Sequence, residues 1–214
     1  MKYQLVIFDL DGTILDTLGE LTVAFNHALS LSGLEPIDKD TMRSRVGNGA
    51  RTLVRRSIEG IENADEDKIL GDYRDYYNSH CTENTEAFSG IPELFDLLKK
   101  NNVKIAVVTN KSDATSKKLC EDKFPGIIDV IKGHREDSIH KPDPQLINEV
   151  LDELDIDRKM AVIVGDSDVD VLTGVNSGID NIVVTWGYKS RDVLIESGAK
   201  VLVDSCDELI KHLI

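Results

Sequence analysis

Short runs of apolar, mostly β-branched residues recur along the chain and are separated by polar segments. Six of these runs have the length of a strand, and they lie at residues 3–8, 103–108, 127–131, 161–164, 182–185 and 200–203. Near-continuous apolar runs of this length predict strands that are buried on both faces of a sheet.

Helical periodicity occupies the intervals between these runs. Apolar residues share one face of a helix in residues 92–100 and again in residues 144–154, where Leu146, Val150 and Leu154 are spaced by four. Strand and helix therefore alternate along most of the chain. This order predicts an α/β fold with a doubly wound parallel sheet, that is, a Rossmann-like core.

One long interval departs from the alternation. Residues 16–85 contain several amphipathic helical patterns, the first of them built on Leu18, Leu21 and Phe25, and no convincing strand. We therefore predict a helical cap domain over residues 16–85, inserted after the first strand. The Rossmann-like core is then formed by residues 1–15 and 86–214.

Composition and charge exclude several classes of partner. The 214-residue chain is 41% hydrophobic, as expected of a globular protein, and its formal net charge is −14. Such an acidic protein repels nucleic acid and anionic membranes, so we expect neither as a partner. It repels phosphorylated metabolites for the same reason, and any site for them has to be locally positive. No apolar stretch approaches the roughly 20 residues that span a bilayer.

The cysteines indicate a reducing environment. Cys81, Cys120 and Cys206 are far apart and form no CxxC pair, which favours neither a disulfide framework nor a zinc site. The N-terminal segment lacks the pattern of a signal peptide. We therefore expect a cytoplasmic protein, either a monomer or a homodimer.

Polar side chains follow four of the predicted strands. They are Asp9 and Asp11 in the segment Asp9-Leu10-Asp11-Gly12-Thr13, then Thr109 and Asn110, then Lys141, and finally Asp166 and Asp170. Each group alone has an ordinary explanation as a turn, a helix cap or a solvated charge. Because the carboxyl ends of parallel strands share one edge of a sheet, their coincidence predicts one site there.

Phosphate-ester chemistry would use this set of groups. Carboxylates repel a phosphate dianion, so a divalent cation is needed, and magnesium prefers oxygen ligands such as Asp9 and Asp166. An ammonium and a hydroxyl can hold phosphoryl oxygens. A carboxylate nucleophile divides hydrolysis into two steps through an aspartyl-phosphate. A second carboxyl two residues away can act as general acid and base, which contributes roughly 10²–10⁴-fold to the rate.

In their order and spacing these residues resemble the haloacid dehalogenase superfamily, in its phosphatase branch. The matching motifs are Asp9-Leu10-Asp11-Gly12-Thr13, Thr109, Lys141 and Gly165-Asp166 with Asp170. The resemblance implies that Asp9 is the nucleophile and a magnesium ligand. It also implies that Asp11 is the acid/base and a ligand through its backbone carbonyl.

The same resemblance assigns the remaining roles. Thr109 and Lys141 would hold the phosphoryl group, and Asp166 would bind magnesium. Asp170 would support the metal or orient Lys141. Within the superfamily the chain most resembles the phosphoglycolate phosphatases, through the segments 46–50, 107–111, 141–144 and 186–188. This likeness implies a small phosphorylated metabolite as substrate, with 2-phosphoglycolate first.

The predicted cap contains a basic segment. Residues 41–58 contain five arginines and no acidic residue, an inversion of the overall charge. We expect Gly47, Asn48 and Arg51 of this segment, with Asn110 of the core, to contact the substrate, because arginine suits a second anionic group. The alternative is that these arginines lie on a solvated helix face and pair with nearby acids.

Other functions stay open at this point. The same scaffold serves a pyrophosphatase, a sugar-phosphate phosphatase or a phosphoglucomutase. A receiver-like signalling module also gathers acids, a threonine and a lysine around an acceptor aspartate. The helical insertion and the Asp9-x-Asp11 pair argue against the receiver.

Overall fold

The structure is a computed structural model and describes residues 2–62 and 64–214. Its strands are β1 (Leu5–Phe8), β2 (Leu15–Asp16), β3 (Glu86–Ala87), β4 (Lys104–Ser112), β5 (Val130–His134), β6 (Ala161–Gly165), β7 (Asp180–Val184) and β8 (Leu202–Val203). Six of them form a parallel sheet in the order β5-β4-β1-β6-β7-β8. Strand order reverses beside the central strand β1, and ligand sites of open α/β sheets lie at such a point.

The helices are α1 (Leu18–Leu31), α2 (Lys39–Arg45), α3 (Ala50–Ile58), α4 (Glu66–His80), α5 (Ile91–Lys100), α6 (Asp113–Lys123), α7 (Gln145–Leu154), α8 (Asp168–Ser177), α9 (Arg191–Glu196) and α10 (Cys206–Leu213). Helices α6 to α9 connect successive strands of the six-stranded sheet, α5 leads from β3 into it, and α10 follows its last strand, β8. Within the described residues, none of these helices is both long enough and apolar enough to cross a membrane.

The central strand explains why its sequence is apolar throughout. All four residues of β1 are fully buried. Val6 and Phe8 belong to the core on one face of the sheet, where Phe8 packs edge to face on Phe95 of α5 at 5.2 Å. Leu5 and Ile7 belong to the core on the other face, with residues of α7. Helices thus cover both faces, and the predicted doubly wound parallel sheet is confirmed.

The helical insertion after the first strand is also confirmed. Helices α1 to α4 lie between β2 and β3, which pair antiparallel through Leu15 with Ala87 and Asp16 with Glu86. Inside the insertion α1 packs on α4, where the rings of Phe25 and Tyr73 meet edge to face at 5.7 Å. The short β2–β3 pair therefore forms both connections between the insertion and the sheet. The exact domain limits, residues 16 and 85, stay a prediction.

Two local predictions were wrong. The strand expected at residues 127–131 is β5 at Val130–His134, because the amide of Ile127 closes a turn on the Phe124 carbonyl before the strand begins. Helix α2 was not predicted, because Met42 is its one buried residue and a single apolar position gives no periodicity.

Candidate active site

The predicted strand-end residues lie together beyond the carboxyl ends of β1, β4 and β6. Asp9 directly follows β1, and Asp166 directly follows β6, its neighbour in the sheet. Thr109 and Asn110 lie within β4, on the other side of β1. All four residues are buried. The parallel order of the sheet thus brings together groups that lie up to 157 residues apart in the sequence, as Asp9 and Asp166 do.

Lys141 lies at the centre of this group. Its Nζ donates hydrogen bonds to Asp9 Oδ1 at 2.8 Å, to Asp170 Oδ1 at 2.8 Å and to the Val108 carbonyl at 2.9 Å. Its backbone N–H donates to Asn110 Oδ1 at 2.7 Å, which fixes the loop that precedes α7. Burial alone lowers the pKa of Lys141, but the carboxylates of Asp170 and Asp9 raise it above its usual value. The ammonium is therefore charged and fully coordinated.

Three buried carboxylates lie together, and Lys141 contacts two of them, Asp9 and Asp170. Ligand oxygens of Asp9, Asp166 and Asp170 lie within 4.8 Å of one another. Burial, opposed by Lys141 and assisted by the Asp170 charge, raises the pKa of Asp9 from 3.8 to about 6. Burial and the charges of Asp170 and Asp9 raise the pKa of Asp166 well above its usual value. The cluster therefore has an excess of negative charge and only oxygen donors, which fits a hard divalent cation such as magnesium.

Asp166 is held on two sides by the backbone and by a hydroxyl. Thr13 Oγ1 donates to its Oδ1 at 3.1 Å, and the Tyr188 amide donates to its Oδ2 at 2.6 Å. Gly12, at φ +84°, and Gly187 approach this carboxylate so closely that a Cβ on either would collide with it. Both glycines are thus required for the carboxylate to face the cluster.

Both carboxylate oxygens of Asp170 accept hydrogen bonds from within the protein. Ser167 donates to Asp170 Oδ2 through both its hydroxyl, at 2.6 Å, and its backbone amide, at 3.1 Å, which forms a capping box at the start of α8. Its other oxygen accepts from Lys141. This geometry favours orientation of Lys141 over direct metal ligation, two roles that the sequence left open.

Asp11 points away from the carboxylate cluster. Its Oδ1 accepts from Thr17 Oγ1 at 2.7 Å, and its Oδ2 lies 2.9 Å from Lys111 Nζ. Thr17 precedes the first helix of the insertion, so the second predicted catalytic carboxyl lies where the insertion joins the core.

The helical insertion covers this site and encloses a cavity of about 670 Å³. Gly47, Asn48 and Arg51 all line the cavity, as do the core residues Asp9 and Asn110. Asn110 Nδ2 donates to the Gly47 carbonyl at 3.0 Å, which joins the loop before α3 to the core.

Arg51 has acidic partners within the insertion itself. Its guanidinium lies 2.6 Å from Glu66 Oε1 and 2.9 Å from Asp67 Oδ1. A contact between Arg51 and substrate stays a prediction. The contacts that this arginine makes are those of the alternative, in which it pairs with nearby acids.

Sequence reasoning gave no role to three residues that shape the site, Lys111, Tyr188 and Tyr77. Lys111 contacts Asp11, and the Tyr188 hydroxyl accepts from the Thr17 amide at 2.9 Å. Tyr77 of α4 lines the cavity, with its ring 4.6 Å from Lys111 Nζ. The position of Lys111, two residues after Thr109, was a usable signal, whereas nothing in the sequence indicated that Tyr77 and Tyr188 reach the site.

The arrangement of these groups agrees with an independent comparison. The family description for haloacid dehalogenase-like hydrolases matches residues 6–184. The chain belongs to this family. The matched range includes every strand-end residue described above and the whole helical insertion, so membership applies to the site and its cover together.

Individual members of the family resemble the chain over its full length. Phosphoglycolate phosphatase 1 of Pseudomonas aeruginosa is 31% identical over 215 residues, which cover 97% of this chain and 78% of that protein. N-acetylmuramic acid 6-phosphate phosphatase of the same organism is 29% identical over 219 residues, covering 100% and 96%. A crystal structure from Lactobacillus delbrueckii subsp. bulgaricus, provisionally named a phosphoglycolate phosphatase, has a TM-score of 0.95 at 32% identity and covers 100% and 99%.

Proposed function

We propose that the protein is a magnesium-dependent phosphatase that hydrolyses a small phosphomonoester through an aspartyl-phosphate on Asp9. The first candidate substrate is 2-phosphoglycolate. The observation that carries the proposal is the placement of Asp9 at the base of a covered cavity. There Lys141 donates to one of its oxygens at 2.8 Å, and Asp11 lies two residues further along.

The residues present suit both halves of this reaction. An oxygen of Asp9 attacks phosphorus, and the bond to the leaving oxygen breaks as Asp11 supplies a proton to that oxygen. Water then attacks the phosphoryl group, its proton passes to Asp11, and the Asp9–phosphorus bond breaks. Lys141 orients Asp9, and Thr109 places a buried hydroxyl beside the phosphoryl group.

Magnesium would be held by Asp9, Asp166 and the backbone carbonyl of Asp11, with Asp170 as the remaining predicted ligand. The excess negative charge of the cluster supports this assignment. When bound, the ion supplies charge neutralisation between carboxylates and phosphoryl oxygens. Asp170, Thr13 and the Tyr188 amide keep the surrounding groups in position.

The preference for 2-phosphoglycolate rests on the similarity to phosphoglycolate phosphatases. A sugar phosphate is the second candidate, because the cavity of about 670 Å³ exceeds what a two-carbon acid fills and one relative is named for a muramic acid phosphate. The receiver-like module is not supported, since the family match includes the cap. A pyrophosphatase and a phosphoglucomutase stay open as alternatives.

The test is a panel of phosphorylated metabolites that includes 2-phosphoglycolate, N-acetylmuramic acid 6-phosphate, glucose 1-phosphate and pyrophosphate. Release of inorganic phosphate is measured with magnesium and with a chelator. We expect phosphate release only with magnesium, and loss of at least about 10³-fold in kcat for Asp9→Asn, because the nucleophile is removed.

The panel separates the alternatives. An isomeric sugar phosphate formed without phosphate release would identify a mutase. Equal activity in wild type and Asp9→Asn would rule out the proposed nucleophile.

A further inference from the structure

Lys111 occupies an unusual position for a lysine of the cavity wall. Its side chain is only 7% exposed, and its Nζ lies 2.9 Å from Asp11 Oδ2. The ring of Tyr77, from helix α4 of the insertion, lies against the same ammonium at 4.6 Å. Lys111 is therefore buried between the predicted acid of the core and an aromatic face of the cap.

The contacts of Asp11 conflict with its proposed role. Thr17 Oγ1 donates to one oxygen at 2.7 Å, and Lys111 donates to the other. A general acid has to approach the leaving oxygen at about 2.6–3.2 Å. A general acid also carries a proton, and a protonated carboxyl oxygen is a poor partner for an ammonium, so release of Asp11 Oδ2 from Lys111 favours the proposed role.

Two other cations of the cavity wall, Arg51 and Arg135, are already neutralised by acids that the reaction does not need. Arg51 is paired with Glu66 and Asp67, and Arg135 is paired with Glu149. The carboxylate contacted by Lys111, in contrast, is Asp11 itself. An incoming anion at Lys111 would thus replace Asp11 without leaving a buried ammonium unpaired, which is the costly outcome.

The geometry of 2-phosphoglycolate matches this exchange. One methylene group separates its ester oxygen from its carboxylate, so both groups have to lie close to the acid that protonates that oxygen. The cation that binds the carboxylate is therefore expected to lie near Asp11. Lys111 meets this condition at 2.9 Å.

The hydroxyl of Tyr77, whose ring contacts the same ammonium, is a second polar group beside Lys111. Among the described residues, the buried Tyr77 hydroxyl has no hydrogen-bond partner, although Tyr77 lines the cavity. Burial and the charge of Asp11 raise the pKa of Tyr77, so the hydroxyl keeps its proton and can donate. Buried polar groups without partners are uncommon.

We propose that Lys111 determines specificity by exchanging Asp11 for the substrate carboxylate. The exchange anchors the non-reacting end of the substrate and at the same time frees Asp11 Oδ2 to face the leaving oxygen. The inference rests on the proposed phosphatase function and assigns its carboxylate-binding residue to the end of β4. The sequence alone had indicated Arg51 for this role.

The experiment compares 2-phosphoglycolate with 2-hydroxyethyl phosphate, in which a hydroxymethyl group replaces the carboxylate. Both are assayed with wild type and Lys111→Met at saturating magnesium. For 2-phosphoglycolate we expect kcat/KM to fall roughly 10- to 100-fold, the loss of one charge-assisted hydrogen bond, mainly through KM. For 2-hydroxyethyl phosphate, which has no carboxylate, we expect a smaller loss, so the ratio of the kcat/KM values for the two substrates falls.

Lys118→Met is the matched control. Lys118 also joins core and cap, through a hydrogen bond of 2.6 Å to the Asn78 carbonyl, but it does not line the cavity. We expect its ratio of kcat/KM values for the two substrates to equal that of wild type. A drop in this ratio equal to that of Lys111→Met would show that loosening the cap is sufficient, and would overturn the inference.

Further outcomes are equally decisive. Equal losses on both substrates in Lys111→Met would indicate a merely structural lysine. A collapse of the ratio in Arg51→Met or Arg74→Met, but not in Lys111→Met, would assign the carboxylate to the cap arginines. Lys111→Gln replaces Lys111→Met if the latter does not fold.

The wild type separates failure of the inference from failure of the proposed function. If it hydrolyses neither substrate but hydrolyses others of the panel, the inference fails and the phosphatase function stands. If it hydrolyses no phosphomonoester, the proposed function fails.

Discussion

At the scale of single residues, the site depends on the balance of buried charges. Lys141 is the counter-charge of Asp9 and Asp170, and all three side chains are almost completely buried. A buried pair contributes little net stability when intact, but removing one partner exposes the full cost of the other. The same balance explains why Lys111 and Asp11 occur as a pair.

Lys141→Met should therefore destabilise the protein strongly. In the absence of metal at pH 7.5 we expect the free energy of unfolding to fall by about 3–5 kcal/mol, because Asp9 and Asp170 lose their counter-charge. Urea denaturation measures this change. Lys117→Met removes an exposed pair with Asp113 and should cost less than about 1 kcal/mol. Similar losses in the two variants would contradict the assigned role of burial.

At the scale of elements, the loop before α3 determines how the cap meets the core. The Gly47 carbonyl accepts from Asn110, and Gly49, at φ +83°, lies so close to His140 that an added Cβ would be 2.8 Å from Nε2. Neither contact is local in sequence. Closure of the cavity thus depends on the backbone shape of one short loop.

Gly49→Ala should weaken substrate binding for this reason. The clash with His140 adds to the strain of a positive φ, and we expect KM to rise roughly tenfold, equivalent to about 1.4 kcal/mol. Steady-state kinetics measure the effect. Gly60→Ala is the control, since Gly60 has a similar φ of +80° and open space around it.

Removal of the obstructing side chain gives a stricter check. His140→Ala in the Gly49→Ala background should bring KM most of the way back to the value of the reference variant, His140→Ala alone. A double variant as impaired as Gly49→Ala alone would show that backbone strain, and not the contact with His140, is responsible.

At the scale of the whole molecule, the carboxylate cluster links folding to pH and metal. Burial raises the pKa of Asp9 from 3.8 to about 6, so the folded protein binds this proton more tightly than the unfolded chain does. The resulting stabilisation is fully present below pH 3.8 and is lost as the pH rises through about 6. A divalent cation replaces this lost stabilisation only at pH values at which the carboxylates are ionised.

Magnesium should therefore raise the melting temperature more at pH 7.5 than at pH 5. At a concentration about 100-fold above Kd we expect a gain of about 2.7 kcal/mol at pH 7.5, or roughly 5–10 °C. Calorimetry with magnesium or a chelator measures the difference. Asp166→Asn should respond much less than wild type. An equal rise at both pH values would show that these carboxyls do not couple metal binding to folding.

The extent to which sequence predicted this molecule differs among its parts. The sheet and the insertion were predictable, since apolar runs and helical periods record burial directly. Helix α2 has one buried residue, Met42, so its sequence showed no helical period. The partners of Arg51, Glu66 and Asp67, were not predictable, because the packing of α3 on α4 decides which charges meet.

The sequence by itself determined which polar residues lie at or after the ends of the strands. From these positions it follows that Asp9, Thr109, Lys141 and Asp166 belong to one edge of the sheet. Periodicity and strand-end position are local properties, and parallel topology converts them into a site. Only the tertiary structure decided the pairing of Lys111 with Asp11 and the approach of Tyr77 from α4. The first contact joins two segments of the core and the second joins core to cap, each across a long stretch of sequence, and packing alone sets them.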